Sequence, residues 1–117
     1  MTPKPANSFD TAVAALLAQK VQIENNLLSL QAACVNDSQR KALADSYHSA
    51  VAQYETALTM ALVTNDAAVQ SNVGQISTIQ QQVQDAIDQA AAIAGILNKI
   101  ATGIQIGTSI LKMMAAA

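Results

Sequence analysis

Aromatic residues, proline, glycine and cysteine are scarce in this chain of 117 residues, and each shortage excludes a class of protein. Aromatic residues make up 3% of the chain and tryptophan is absent, so alanine and aliphatic side chains must fill any core. Four glycines and two prolines are too few for the turns of an all-β sandwich or barrel. The single cysteine, Cys34, excludes an intrachain disulfide. This composition predicts an all-α fold.

Charge is also scarce, at 12% of the residues against a usual proportion of about 25%. Six basic and eight acidic residues give a net charge of -2, which leaves no basic surface to hold a nucleic-acid backbone. Nucleic acid is therefore excluded as an expected partner. The first eight residues lack the apolar core of a secretory signal peptide. We expect a cytoplasmic protein, or one exported without a cleaved signal peptide.

Hydrophobic residues are abundant, at 51% of the chain, and they recur every three or four positions along three stretches. This is the spacing of one face of an α-helix. Leu17, Val21 and Leu28 widen the apolar stripe of the first stretch, so we expect that helix to face more than one neighbour. Runs of residues that favour caps and turns separate the stretches. After a flexible tail at 1–7, the pattern predicts long helices over residues 8–35, 38–64 and 66–101.

The third stretch continues to about residue 115, which as one helix would extend about 75 Å, far beyond the hairpin on which it must pack. We therefore expect it to break, at Thr102-Gly103 or Gly107 first and at residues 95–98 next, because glycine adopts turn conformations easily. A short fourth helix would then cover residues 104–115. The predicted architecture is one antiparallel bundle domain over 8–117, with three long helices and a short fourth.

The C-terminal segment, residues 89–117, contains no acidic residue and two charges, Lys99 and Lys112. Its small residues stand four or eight positions apart, and residues 103–107 form a GxxxG, the spacing that lets helix backbones approach closely. We take the small residues and their apolar neighbours as a candidate contact surface. Its members are Ala91, Gly95, Lys99, Gly103, Ile104, Gly107, Ile110 and Leu111.

Three interpretations of this segment remain open. It is the most buried helix of the bundle, covered on most sides by the others. Alternatively, it associates with a membrane or a partner when released from the bundle. In the third, it forms a seam between identical chains. Asn98, Lys99 and Gln105 at its centre disfavour a membrane-spanning helix, because a central lysine costs about 3 kcal/mol on insertion scales.

Residues able to carry out chemistry are few and isolated. His48 and Asp45 share a helix face, but a structural zinc site takes four ligands and nothing else completes it. Asp85 and Asp88 are better explained as solvated surface acids, and Cys34 as a small buried side chain. No nucleotide-binding, metalloprotease, calcium-binding or nucleophile-elbow motif occurs. We expect no enzyme activity, no catalytic residue, no cofactor, no metal and no small-molecule substrate.

In length, low charge and expected hairpin geometry the chain is similar to small leaderless helical proteins exported by specialised bacterial secretion systems. The Trp-x-Gly turn of the WXG100 type is missing, because residues 35–38 read Val-Asn-Asp-Ser, and we assign no family. The predicted function is non-enzymatic contact with a protein partner or with copies of the chain, through the C-terminal segment. The alternative is a membrane-active or leaderless secreted protein whose 89–115 helix associates with bilayers.

Overall fold

Four α-helices of similar length make up the fold. The computed structural model describes residues 8–59 and 67–116, and all regular structure in those ranges is α-helical. The predicted tail at 1–7 and the predicted end of the second helix at residue 64 lie outside the described residues. The all-α bundle is confirmed. Its helices are α1 (Ser8–Ala33), α2 (Asp37–Leu58), α3 (Ala67–Asp88) and α4 (Ile93–Ala116).

The helices form two antiparallel hairpins, α1 with α2 and α3 with α4. α1 packs on α2 and α3, α4 packs on the same two helices, and α1 and α4 also touch across the centre. Within the described residues α2 and α3 make no contact, so they occupy opposite corners. The molecule measures 47 × 29 × 20 Å, and its smallest dimension equals about two helix diameters.

The core consists of two hydrophobic clusters, one toward each end of the bundle. One cluster joins the end of α1 to the start of α2 and includes Ile23, Leu43, Val83 and Ile100. The other joins the start of α1 to the end of α4 and includes Leu16 with Ile110. Because each cluster contains opposite ends of paired helices, the two members of each hairpin run antiparallel.

The start of α2 agrees with the cap predicted there. Asn36 is extended, with φ -151° and ψ 171°, and its Oδ1 accepts a hydrogen bond of 2.8 Å from the backbone N–H of Gln39. The side chain of Gln39 in turn accepts a hydrogen bond of 2.8 Å from the backbone N–H of Val35. These two bonds satisfy donors that a helix start otherwise leaves unpaired.

The prediction of three long helices and a short fourth is wrong, because the chain turns earlier than expected. α3 ends at Asp88, and the expected hinge positions at 95–98, 102–103 and 107 all lie inside α4. The turn is made by Ala90, whose φ of 54° lies in the left-handed region. The backbone N–H groups of Ala90 and Ala91 bond to the carbonyls of Ile87 and Ala86 at 3.1 and 2.9 Å. This is the Schellman arrangement, which usually has glycine at its left-handed position.

Candidate interaction surface

The residues predicted as a C-terminal contact surface do not share one outer face. Ala91 lies exposed in the α3–α4 turn, Gly95 is exposed in the first turn of α4, and Lys99 is half-buried. Gly103 and Gly107 are buried, facing the other helices. Of the remaining three, Ile110 is fully buried in one cluster, while Ile104 and Leu111 are partly buried against the clusters.

The two buried glycines each face a buried glutamine on another helix. A Cβ atom at Gly103 would lie 2.5 Å from Nε2 of Gln19 on α1, and one at Gly107 would lie 2.9 Å from Cδ of Gln53 on α2. The Nε2 of Gln53 donates to the backbone carbonyl of Ile104 at 2.8 Å and to Oγ1 of Thr108 at 3.1 Å. The close approach predicted from the GxxxG spacing is therefore made inside the bundle.

We call Gln19, Gln53, Gly103 and Gly107 the glutamine layer, because it lies between the two hydrophobic clusters. Gln19 and Gln53 are 4% and 6% exposed and are the buried polar side chains of the described residues. The Oε1 atom of each is buried and accepts no hydrogen bond within the described ranges. Leaving a buried polar group unpaired costs about 1–3 kcal/mol, so each of these two oxygens lowers the stability of the bundle.

A second pair of glutamines joins α1 to α3. Gln22 Nε2 donates to the backbone carbonyl of Gln80 at 2.7 Å, and Gln80 Nε2 donates to the backbone carbonyl of Ala15 at 3.0 Å. Both side chains are partly buried. Gln22 and Gln80 thus hold two parallel helices together.

Several titratable side chains are bonded to structural partners. No group of three or more potential metal ligands occurs among the described residues. Asp45, the expected partner of His48, pairs instead with Lys41 at 2.9 Å and raises the pKa of that lysine. The hydroxyl of Tyr47 donates to Glu24 at 3.1 Å, and this bond, followed by desolvation, raises the pKa of Tyr47.

Cys34 is buried just beyond the end of α1, as predicted for a small core side chain. Its thiol donates to the backbone carbonyl of Leu30 at 3.2 Å. The side chain packs in the hydrophobic cluster that also holds Leu43. Burial in apolar surroundings is typical of a structural cysteine, because reactive thiols are partly exposed and lie near positive charge.

The exposed side of α1 carries an apolar stripe that no described helix covers. Leu28 is 82% exposed and Val21 is 39% exposed, and Val35, in the α1–α2 turn beyond the end of the helix, is 77% exposed. Successive members are spaced four and three residues apart, which is the heptad spacing of a coiled-coil seam. We call this set the outer stripe. Its members in α1 are Ala14, Ala18, Val21, Asn25, Leu28 and Ala32.

An open groove of about 620 Å³ lies beside the outer stripe, between α1 and α3. Ala18, Val21 and Asn25 line its α1 side, and Gln81 and Gln84 lie on its α3 side. None of the side chains that line the groove is ionisable. Most of its lining is amide groups, and Ala18 and Val21 are its apolar residues.

The chain was compared with protein-family models, with curated proteins and with solved structures. None of them matches. The arrangement of the side chains is therefore the only guide to function.

Among the described helices, none combines the length and the apolar character that crossing a bilayer demands. α4 has the length, with 24 residues, but Asn98, Lys99 and Gln105 interrupt its apolar sequence. Its bulky side chains Ile100 and Ile110 face the core of the bundle.

The sequence pattern alone did not identify the two features that dominate the site. Gln19 and Gln53 fall within the apolar spacing of α1 and α2, and a polar residue at such a position is the available signal for the glutamine layer. The width of the α1 stripe was visible in the sequence. Which part of that width stays exposed depends on where α2, α3 and α4 pack.

Proposed function

We propose that this protein acts without enzymatic chemistry, through protein–protein contact at the outer stripe of α1. The observation that carries the proposal is the exposure of Leu28 and Val21 on one face of α1, at 82% and 39%, with Val35, 77% exposed, in the turn that follows. Complete burial of a leucine or valine side chain contributes about 1.5–3 kcal/mol. A contact that covers Leu28, Val21 and Val35 would gain free energy that the isolated bundle does not obtain.

The C-terminal segment has an internal role in this proposal. Gly103 and Gly107 allow α4 to approach α1 and α2, which fixes the position of α1 and leaves the outer stripe facing outward. The proposal therefore places the contact surface on α1 instead of α4 and keeps the predicted function, protein–protein contact.

Site-specific photo-crosslinking tests the proposal in cells that express the protein. A photoreactive phenylalanine analogue at position 28 should give defined crosslinked protein bands. The same analogue at position 58 is the matched control, because Leu58 is also an exposed leucine, 51% exposed, but lies on α2 outside the outer stripe. Equal or absent crosslinking at the two positions would contradict the proposal.

Association of α4 with bilayers is the alternative function. It is supported by the shortage of charge in α4, where Lys99 and Lys112 are the charged residues. Since the bulky side chains of α4 are packed inside, association requires the bundle to open. Flotation of the purified protein with anionic and neutral liposomes tests this alternative. Flotation with loss of the α4 packing supports it, and recovery of all protein at the bottom of the gradient excludes it.

A further inference from the structure

We infer that the partner of the outer stripe is a second copy of this chain, with the two α1 helices packed parallel about a two-fold axis and the α1–α3 groove of each copy receiving α1 of the other. This inference rests on the proposed function, because it names the partner of the same surface. Three properties of the surface support it: the heptad register, the charge and the area.

The register of the outer stripe is that of a two-stranded seam. Val21 and Leu28 are seven residues apart, and Asn25 stands between them at the position that heptad notation calls a, with Leu28 at position d. In a parallel pair, Asn25 faces its counterpart in the other copy, and the two carboxamides bond to each other. In an antiparallel pair, Asn25 would face an apolar side chain and lose its hydrogen-bond partners, which is costly.

The charge of the surface favours a copy of the same chain. The groove has no ionisable lining residue, so a strongly acidic or basic partner would find no opposite charge there. Glu24, beside the seam, is already held by the hydroxyl of Tyr47 at 3.1 Å and by Lys20 at 3.5 Å. In the parallel arrangement its neighbour across the seam is Ser29 of the other copy, so no like charges meet.

The area is sufficient when both helices of the groove take part. The outer stripe extends about 27 Å along α1, between positions 14 and 32, and two helix widths span about 20 Å. The face of α1 and α3 therefore measures on the order of 600 Å² per copy, against about 800 Å² per partner in standard interfaces. The α1 stripe alone would supply only about half of this. We therefore expect a reversible dimer, with dissociation in the micromolar range.

Sedimentation velocity on the purified full-length chain, over about 1 to 500 μM, tests the inference. The expected result is a reversible transition from 12.2 kDa to twice that mass. Leu28→Gln should raise the dissociation constant about a hundredfold, because the substitution acts twice in a symmetric dimer. Leu58→Gln, the matched control outside the stripe, should leave the dissociation constant unchanged.

A variant that strengthens the dimer gives a second test, because a misfolded variant would lose the dimer whether or not the inference is right. Asn25→Leu should lower the dissociation constant about tenfold or more, because an asparagine in a seam sets the register at a cost in stability. Asn25→Cys and, separately, Ala18→Cys, each in a Cys34→Ser background, should form a symmetric disulfide on mild oxidation, because only a parallel pair places both positions beside their own counterparts. Failure of either disulfide in a protein that dimerises would overturn the parallel arrangement.

The outcomes separate this inference from the proposed function. A wild-type chain that stays monomeric over the whole concentration range overturns the inference. If position 28 nevertheless crosslinks to a different protein in cells, the proposed function stands and only the choice of partner is wrong. If the purified chain is monomeric and position 28 gives no crosslink, both are wrong. A dimer that Leu28→Gln and Leu58→Gln weaken equally also overturns the inference.

Discussion

Replacing Gly107 with alanine should destabilise the bundle, although alanine is the better helix former. In an open helix position this change stabilises by about 1 kcal/mol. At position 107 the new Cβ would lie 2.9 and 3.1 Å from Cδ and Nε2 of Gln53 and would contact its Oε1 more closely still. The glutamine must therefore move away from its present position.

The magnitude follows from what Gln53 loses. Its Nε2 gives up the hydrogen bonds to the carbonyl of Ile104 and to Oγ1 of Thr108, and the side chain, 6% exposed, is largely shielded from solvent that could replace them. Two hydrogen bonds at about 1 kcal/mol each, together with the desolvation of the unpaired amide, amount to a loss of about 2–4 kcal/mol. After the gain in helix propensity, we expect a net destabilisation of about 1–3 kcal/mol.

Urea unfolding followed by circular dichroism measures this change. With a denaturant dependence of about 1–3 kcal/mol per M, the midpoint should fall by about 1 M. Gly74→Ala is the matched control, because a Cβ at Gly74, inside α3, meets nothing within 4 Å. That variant should be stabilised by about 1 kcal/mol.

A double-mutant cycle isolates the contact. In a Gln53→Ala background, position 107 has room for a methyl group, so Gly107→Ala should there stabilise by about 1 kcal/mol. The sign of the effect thus reverses between the two backgrounds. If Gly107→Ala stabilises the wild-type chain as much as Gly74→Ala does, the proposed close packing of α4 on α2 is wrong.

Three further predictions concern the α3–α4 turn and the α1–α2 contact. Ala90→Gly should stabilise the protein by about 0.5–1 kcal/mol in urea unfolding, because φ at this position is 54° and a left-handed conformation costs alanine about 1 kcal/mol or more. Ala90→Val should destabilise the protein. Equal effects of the two substitutions would contradict the left-handed conformation at this position. Ala92→Asp should raise the free energy of unfolding by about 1 kcal/mol, since the Ala92 carbonyl accepts the first bond of α4, from Ile96 at 3.3 Å, and alanine caps poorly; no change would show that the cap is not at Ala92. Tyr47 should titrate above its usual pKa in a Tyr54→Phe background, measured by phenolate absorbance, because its hydroxyl donates to Glu24. Because the folded state favours the neutral phenol, the stabilisation that this hydrogen bond gives the fold is complete below the unfolded pKa, about 10, and is lost as the pH rises through the folded pKa. Glu24→Gln should lower the pKa of Tyr47 toward its usual value. An unchanged pKa in that variant would refute the assigned cause.

The predicted contact surface shows what can and cannot be predicted from the spacing of small residues in the sequence. Gly103 and Gly107 were predicted both as positions of close helix approach and as hinges; the structure agrees with the first prediction and contradicts the second. The partner in that approach is another segment of the same chain, Gln19 or Gln53. The spacing of residues within one helix does not indicate which helix lies opposite. The predicted role of these glycines in contact with another molecule therefore stays a prediction, and their packing inside the bundle is another explanation of the same spacing.

The helical class, the start of α2 to within one residue and the burial of Cys34 follow from the sequence alone, because each depends on local preferences or on composition. The position of the α3–α4 turn was decided by tertiary structure. Two antiparallel hairpins bury most apolar area when their helices match in length, and this burial forces Ala90 into a conformation that its own preferences oppose. The exposure of Leu28 was also decided there, since only the packed positions of α2, α3 and α4 leave one side of α1 uncovered.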